Sequence, residues 1–462
     1  MKKFAWVVLA LLVALVAGSV YFLRDEPLTP LAEQALNYQP APVPAEQNAF
    51  VGLVGLTAPA GSDFVQMGEE IIGLVHAKQA PKPEVKNLAF SVKEYSYSCA
   101  REITENCLDE IRADAENIKK LLDDNQELVQ RYLKIQEMPA FSNNTSAALF
   151  DHTFGFLPYV ELFMVSRLLS AKTVLDIKNG DVVGGINWIQ KDMELYRRIL
   201  AATDANLLDK VVAVIQIRRV AILLSLLIEE DRLHDQNENL HPLLASLDSP
   251  KKIFRDAMWI EHVAVWQHIS RLYNPSGFFE LSNFDGQPVE EQGYFEKLQA
   301  YLGYYFLFKR NMTMNLDAEI RSYVMEVIDA TPPSRLFRET IDQKAFERAG
   351  CVNVEELFCK HLKNYFGEVL VLMGKPDYTN YLFRIYDTDA LLRLVRAQLE
   401  YQLAAKEPGA DPLKILASLP PETFNPYTEK PFDFDAERGV IGFQPAARQD
   451  KDRRVEIHLS LQ

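Results

Sequence analysis

Residues 211–228 read VVAVIQIRRVAILLSLLI, and this stretch decides the architecture of the chain. It is long and apolar enough to cross a membrane, but Gln216, Arg218 and Arg219 lie at its centre. Charged side chains are unfavourable in the middle of a bilayer, so the pattern favours a helix buried in a protein core. Because apolar residues cover most of its circumference, we expect neighbouring helices on more than one side.

Helical spacing of apolar residues continues on both sides of this stretch. Further helices are predicted near 64–77, 107–138, 159–178, 182–202, 206–232, 251–272, 292–309, 314–329, 354–371 and 380–405. The turn sequence at 179–181 joins two of them into an αα-hairpin. A short strand is predicted over 88–95. The predicted fold class is therefore mainly α, a multi-helix domain built of αα-hairpins.

The N-terminal segment has the pattern of a transmembrane helix. Residues 4–23 read FAWVVLALLVALVAGSVYFL and carry no charge. A helix of this length rises about 30 Å, the thickness of the hydrocarbon core. Lys2 and Lys3 precede the run, so the positive-inside rule places the N-terminus in the cytoplasm. A cleaved secretion signal is the alternative, with small residues at 16–18, although signal cores typically stop after about 7–15 residues.

A proline-rich segment separates this run from the rest of the chain. Residues 25–47 hold five of them and predict a stiff, extended spacer of the polyproline type. The predicted parts are 1–24, a cytoplasmic tip and transmembrane anchor; 25–47, the spacer; 48–420, a helical periplasmic domain; and 421–462, a small β meander packed on it. This organisation predicts a single-pass protein of the bacterial inner membrane with most of its chain in the periplasm.

The C-terminus changes from helical spacing to alternation. Residues 425–445 and 454–461 predict the strands of an antiparallel meander. The stretch NPYTEKPFDF, residues 425–434, resembles the DP-x-x-G-x-P-x-x-Y segment near the end of type II secretion pseudopilins and of uncharacterised membrane-anchored bacterial envelope proteins. Glu429 stands where that motif carries glycine, and no prepilin cleavage signature precedes the apolar run. The resemblance therefore implies a shared β-turn and not a pilin.

The four cysteines form two equally spaced pairs: Cys99, Cys107, Cys351 and Cys359. In an exported domain an even number of cysteines favours disulfides, and four cysteines allow three pairings. Residues eight apart on one unbroken helix lie about 12 Å apart, beyond the roughly 7 Å between Cα atoms that a disulfide spans. The predicted pairs Cys99–Cys107 and Cys351–Cys359 therefore require a helix to begin between their members. A zinc site is the competing interpretation, but the spacing is not CxxC.

The sequence contains no motif of a known catalytic or metal site. No histidine lies in an HExxH pattern, and neither a GxSxG elbow nor the kinase motifs occur. One SxxK pattern begins at Ser249, but its SDN and KTG partners are missing. Ser249 is better explained as the cap of a helix that begins with Pro250. We therefore predict no catalytic residue, no metal and no cofactor.

One aromatic run is a candidate binding groove. Its members are Tyr301, Tyr304, Tyr305 and Phe308, and the basic pair Lys309-Arg310 follows them. Aromatic residues at helical spacing are more often part of a protein core, and this is the competing interpretation.

The charge of the chain narrows the choice of partners. Net charge is -15, and the chain after residue 24 contains 46 basic and 64 acidic side chains. Such a surface repels phosphate backbones, so we predict no nucleic-acid binding. The predicted partners are the inner membrane, through the N-terminal helix, and another envelope protein.

Three functions are compatible with these patterns. The leading hypothesis is a non-enzymatic helical scaffold or assembly factor at the inner membrane. The first alternative is a folding factor for an exported client, since lipase-specific foldases have a similar layout. The second is an envelope hydrolase with an unrecognised site. A client-binding protein should present an open apolar groove, whereas an enzyme should contain a closed pocket with convergent polar groups.

Overall fold

The computed structural model describes residues 2–77, 88–90, 107–143, 145, 158–233, 235–271, 294–336, 341–348, 362–373, 378–405, 411–447 and 454–459. Within them the fold is mainly helical, with a small antiparallel sheet near the C-terminus. The chain divides into two compact units. Unit 1 comprises Met1–Gln39, His262–Thr331 and Arg338–Tyr378, and unit 2 comprises Pro40–Glu261, Pro332–Phe337 and Thr379–Gln462. This division differs from the continuous helical domain predicted over 48–420.

In chain order the described α-helices are α1 (Lys2–Leu23), α2 (Pro30–Leu36), α3 (Ala49–Val54), α4 (Phe64–His76), α5 (Cys107–Ala113), α6 (Ala115–Asp124), α7 (Gln126–Glu137), α8 (Tyr159–Lys178), α9 (Val182–Ala201), α10 (Leu207–Glu229), α11 (Asn237–Leu243), α12 (Pro250–Arg271), α13 (Tyr294–Leu307), α14 (Arg310–Ala330), α15 (Pro333–Leu336), α16 (Ile341–Arg348), α17 (Tyr365–Met373), α18 (Tyr378–Ala404) and α19 (Pro412–Ser418). Short 3₁₀ helices span Ala45–Gln47, Leu362–Asn364 and Pro421–Thr423. Several helices, α8 and α9 among them, lie almost at their predicted bounds.

Three consecutive helices build the core of unit 2, where α9 packs against both α8 and α10. Gly180 ends the turn after α8 with a φ of +92°, a conformation that glycine adopts readily. Asp181 then caps α9 by accepting the N–H of Gly184 at 2.9 Å. A capping box of Asn206 and Asp209 begins α10. Sixteen of the 23 residues of α10 are buried, so the stretch at 211–228 is a core helix.

α1 is the other helix of the described part of the chain that is long and apolar enough to cross a membrane. Its apolar stretch, Trp6–Leu23, is not buried in the fold. Apolar side chains that no protein surrounds gain stability from an apolar solvent. The two candidate spans therefore differ in their surroundings, since α10 is enclosed by protein and α1 is open.

The segment that follows α1 does not form the extended spacer predicted from its prolines. Thr29 caps α2 by accepting the N–H of Ala32 at 3.4 Å, and Pro30 is the first residue of the helix. Proline is tolerated there because the first N–H groups of a helix have no intrahelical partner. Ala32 and Ala35 are fully buried. Pro30 thus begins a packed helix instead of extending the chain.

The C-terminal sheet has three antiparallel strands in the order β1 (Asp433–Asp435), β2 (Val440–Phe443) and β3 (Val455–His458). The buried carboxylate of Asp387, on α18, holds this region. It accepts the hydroxyl of Tyr427 at 2.7 Å and the backbone N–H groups of Ala446 and Ala447 at 2.9 and 3.0 Å. Burial raises the pKa of Asp387, and these hydrogen bonds lower it in part. Tyr427 belongs to the NPYTEKPFDF stretch, so this contact fixes the segment on unit 2.

Glu429 gives a direct test of the turn in that segment. It has a φ of +57°, in the left-handed region that favours glycine. We expect Glu429→Gly to raise the free energy of unfolding by about 0.5–1 kcal/mol, measured by urea denaturation, because it removes this strain. Glu437→Gly, in the neighbouring exposed turn at a residue without positive φ, should not stabilise the protein. A loss of stability in Glu429→Gly would contradict the assignment.

Two further predictions fall wholly or partly outside the described residues. Cys107 is fully buried as the first residue of α5, and no free cysteine occurs in the described part of the chain. Cys99, Cys351 and Cys359 lie outside it, so both pairings stay predictions. Residues 88–90 are not in a strand, and 91–95 lie outside the described residues.

Candidate functional site

Asp25 and Glu26, the two residues after Arg24, form hydrogen bonds with the first residues of α14. The carboxylate of Asp25 accepts the N–H of Asn311 at 2.9 Å and that of Met312 at 3.2 Å. The backbone oxygen of Glu26 accepts the side-chain amide of Asn311 at 2.7 Å. The first N–H groups of a helix lack partners and carry partial positive charge, so a carboxylate stabilises them. Asp25 therefore caps a helix that lies 286 residues further along the chain.

Asn315, one turn into α14, extends this contact. Its amide nitrogen donates to the Glu26 carboxylate at 2.8 Å and to the backbone oxygen of Pro27 at 2.9 Å. Its amide oxygen accepts the N–H of Thr29 at 2.8 Å. The side chain thus binds three successive points of the segment between α1 and α2. We call the contacts of residues 25–29 with Asn311, Met312 and Asn315 the α1–α14 junction.

A cleft of about 640 Å³ lies beside the junction in unit 1. Polar residues in its lining are Glu26, Thr29, Asn315, Glu319, Ser322, Asn364 and Glu368. The lining includes three carboxyl groups and no lysine, arginine or histidine, so its field favours positively charged groups over anions. In the described part of the chain, no group of three or more histidine, cysteine or acidic side chains is placed to hold a metal ion.

Asn364 builds one wall of this cleft. Its amide oxygen accepts the N–H of Lys309 at 2.7 Å and the hydroxyl of Thr313 at 3.1 Å. Gly367 allows α17 to approach closely, because a Cβ there would lie 1.8 Å from the Thr313 hydroxyl oxygen. The wall is therefore formed by short, fixed polar contacts between Asn364, in the 3₁₀ helix that precedes α17, and the start of α14.

A buried imidazole–carboxylate pair lies elsewhere in unit 1. Asp317 accepts hydrogen bonds from His262 Nδ1 at 2.7 Å, Trp266 Nε1 at 2.8 Å and Arg321 Nε at 3.0 Å. Burial raises the pKa of Asp317, but Arg321 and His262 outweigh this and hold it below its ordinary value. Burial lowers the pKa of His262 to about 4, although Asp317 opposes the shift. Neither residue lines the cleft, so we assign the pair a structural role.

The low pKa of His262 predicts a pH-dependent stability. Unfolded His262 takes up a proton near pH 6.5, whereas the folded protein takes it up only near pH 4. Proton uptake by the unfolded state alone lowers the free energy of unfolding as pH falls between these values, by up to about 3 kcal/mol. His262→Asn keeps a donor towards Asp317 and removes this titration. Its stability relative to the parent chain should therefore rise from pH 6.5 to pH 4, and a constant difference would disprove the assignment.

The four residues of the predicted aromatic groove do not share one surface. Tyr304 and Phe308 are buried, whereas Tyr301 and Tyr305 are 44% and 48% exposed. The rings of Tyr301 and Tyr305 stack with centroids 6.2 Å apart. The core interpretation holds for two of the residues, and the other two lie on an exposed face of α13.

Unit 2 contains a polar network in its core. Asp192 of α9 accepts hydrogen bonds from Tyr132, from Ser166 at 2.7 Å and from Gln136 at 3.0 Å. Arg219 of α10 donates to the Ser166 hydroxyl at 2.8 Å. Burial raises the pKa of Asp192, and the charge of Arg219 opposes this. Each of these side chains is buried, so the network serves packing and not ligand binding.

Sequence reasoning did not identify the residues of the junction or, apart from Arg219, those of the two buried networks. Asp192 had a visible signal, because it interrupts the apolar spacing of Ile189, Met193 and Tyr196 on one helix face. Asp25 had none, since its partners lie 286 residues away.

No protein-family model, no curated protein and no solved structure matches this chain.

Proposed function

We propose that this chain is a single-pass protein of the bacterial envelope, a non-enzymatic scaffold or assembly factor held at the inner membrane by α1. Most of the chain then lies in the periplasm. The observation that carries the proposal is the α1–α14 junction. A tether would need only a flexible link after α1, but residues 25–29 are fixed to α14 by six hydrogen bonds. Such a junction sets the orientation of unit 1 relative to the bilayer.

The lining of the cleft argues against a hydrolase that uses a histidine base or a cysteine or lysine nucleophile, and we therefore favour a scaffold. A hydrolase needs a nucleophile or activated water beside a general base. The described lining offers carboxyl, amide and hydroxyl groups but no histidine, cysteine or lysine, and the imidazole of His262 is buried apart from it. The proposed partner is another envelope protein, while the net charge of -15 argues against nucleic acid.

The membrane topology is tested with reporter fusions. Alkaline phosphatase is active only where its disulfides form, so a fusion after residue 50 should be active in bacterial cells. A cytoplasmic reporter at the same position should be inactive. The opposite pattern would overturn the orientation, and release of an active fusion from the membrane fraction would show that α1 is a cleaved signal.

The scaffold role is tested by loosening the junction from α1. Ten glycine and serine residues are inserted between Arg24 and Asp25, which leaves the contacts of Asp25 with α14 intact. The full chain is purified from membranes in detergent, and co-purifying proteins are quantified by mass spectrometry. We expect one stoichiometric partner with the parent chain and about a tenfold loss after the insertion, because a flexible linker removes the fixed orientation.

The matched control carries the same ten residues after Gln462 and should retain the partner. Absence of any stoichiometric partner from the parent chain would refute the scaffold proposal. Equal partner recovery with and without the insertion would refute the argument from the junction.

A further inference from the structure

We infer that α13 is a second membrane contact and that its exposed face lies in the headgroup region beside α1. The inference rests on the proposed insertion of α1. The face consists of Leu298, Tyr301, Leu302 and Tyr305, each 41–50% exposed. At about 100° per residue these four positions share an arc roughly 100° wide. We call this arc the α13 face.

Gly303 and Tyr304, on another side of α13, are packed within unit 1. Tyr304 is buried, and Gly303 lies so near α17 that a Cβ there would be 3.0 Å from the ring of Phe366. The helix thus has one side that contacts protein and another that presents apolar groups outward. Clustered apolar groups on a surface mark a place where another phase or another molecule binds.

The elements that contact α13 indicate its depth relative to the membrane. It packs against α1 and against the 3₁₀ helix at Leu362–Asn364. Lys363 of that 3₁₀ helix places its ammonium 5.1 Å from the ring centre of Tyr21, near the end of α1. Aromatic residues near the ends of a span lie at the membrane–water boundary, and a lysine close by extends towards the headgroups. α13 is therefore at the level of that boundary.

The chemistry of the α13 face matches this boundary. Tyr301 and Tyr305 combine apolar rings with hydroxyl groups, and Leu298 and Leu302 supply purely apolar surface. Helices with such faces lie in the plane of the interface, with the apolar side turned towards the acyl chains. A partner protein or a second copy of the chain are the other possible occupants. Lipid is favoured because α13 packs against α1, which lipid already surrounds in the proposed arrangement.

Site-specific photo-crosslinking tests the inference in the full chain. A benzophenone amino acid is introduced singly at Leu302 or Tyr305, and the protein is reconstituted in nanodiscs of palmitoyl-oleoyl phosphatidylcholine. Irradiation should produce adducts heavier by one lipid, identified by mass spectrometry. Val183 on α9 is similarly exposed, at 55%, and lies in unit 2, so it is the matched control. We expect lipid adducts at 302 and 305 about tenfold above those at 183.

A fourth position separates the inference from the proposed function. Val13 lies in the middle of α1, so its benzophenone should form lipid adducts whenever α1 is inserted. Adducts at 13 with none above the Val183 level at 302 and 305 would overturn the inference and leave the anchor in place. Absence of adducts at 13 would refute the membrane insertion itself. Crosslinks from 302 or 305 to a second copy or to another protein would also overturn the inference.

Discussion

Asp192→Ala is expected to lower the stability of unit 2 by about 3–5 kcal/mol. The substitution removes the carboxylate that accepts hydrogen bonds from Tyr132, Ser166 and Gln136. It also leaves the positive charge of buried Arg219 without this nearby negative charge. Leaving a buried donor or charge without its partner costs far more free energy than the contact contributes net to stability.

The measurement must report on unit 2 by itself, because a chain of two units need not unfold in one step. Hydrogen exchange followed by mass spectrometry gives this for peptides of α8, α9 and α10, whose slowest amides should exchange at least about a hundredfold faster in the variant. Glu194→Ala changes an exposed acid two residues away and should alter stability by less than about 0.5 kcal/mol. Equal exchange in Asp192→Ala and Glu194→Ala would show that the network contributes little.

Asp317→Ala should have a similar effect, about 3–5 kcal/mol, in unit 1. The variant removes the carboxylate that accepts hydrogen bonds from three buried donors, His262, Trp266 and Arg321. Arg321 is 7% exposed, so its charge cannot be solvated without movement of α14. Exchange in the peptides of α12 and α14 should accelerate accordingly.

Glu319→Ala is the control for this substitution, because Glu319 is an exposed acid on the same helix. Asp317→Asn is the second comparison, since it keeps the shape and one oxygen acceptor while it removes the charge. We expect a loss of stability between those of the other two variants. If Asp317→Asn were as stable as the parent chain, the charge of Asp317 would have no stabilising role, and the ion-pair argument would fail.

The sequence was sufficient where structure depends on neighbours within a few residues. The turn at 179–181 combines a glycine with positive φ and an aspartate cap, and both are local devices. Ser249 and Pro250 likewise begin α12, where the Ser249 hydroxyl accepts the N–H of Lys252 at 3.3 Å. The charges of Arg218 and Arg219 identified α10 as a core helix, because a charge at mid-bilayer is unfavourable whatever the fold.

Local patterns failed at the segment after α1. Its prolines favour an extended chain, yet Pro30 begins α2, because proline is compatible with a polyproline segment and with the first turn of a helix. The choice depends on what the segment packs against. Asn315 forms hydrogen bonds with the backbone of this segment. The sequence of residues 25–37 does not indicate that contact.

The sequence by itself determined the mainly helical class, the bounds of α8 and α9, the apolar N-terminal helix and the strand-forming C-terminus. These follow from hydrophobic periodicity and capping, which act within about one or two turns. Only the tertiary structure decided which acids are buried, that Asp25 caps α14, and that the aromatic run divides between core and surface. Those outcomes depend on contacts between residues 26 to 287 positions apart. Such contacts form when distant elements pack together, and neither spacing nor composition specifies which side chains then meet.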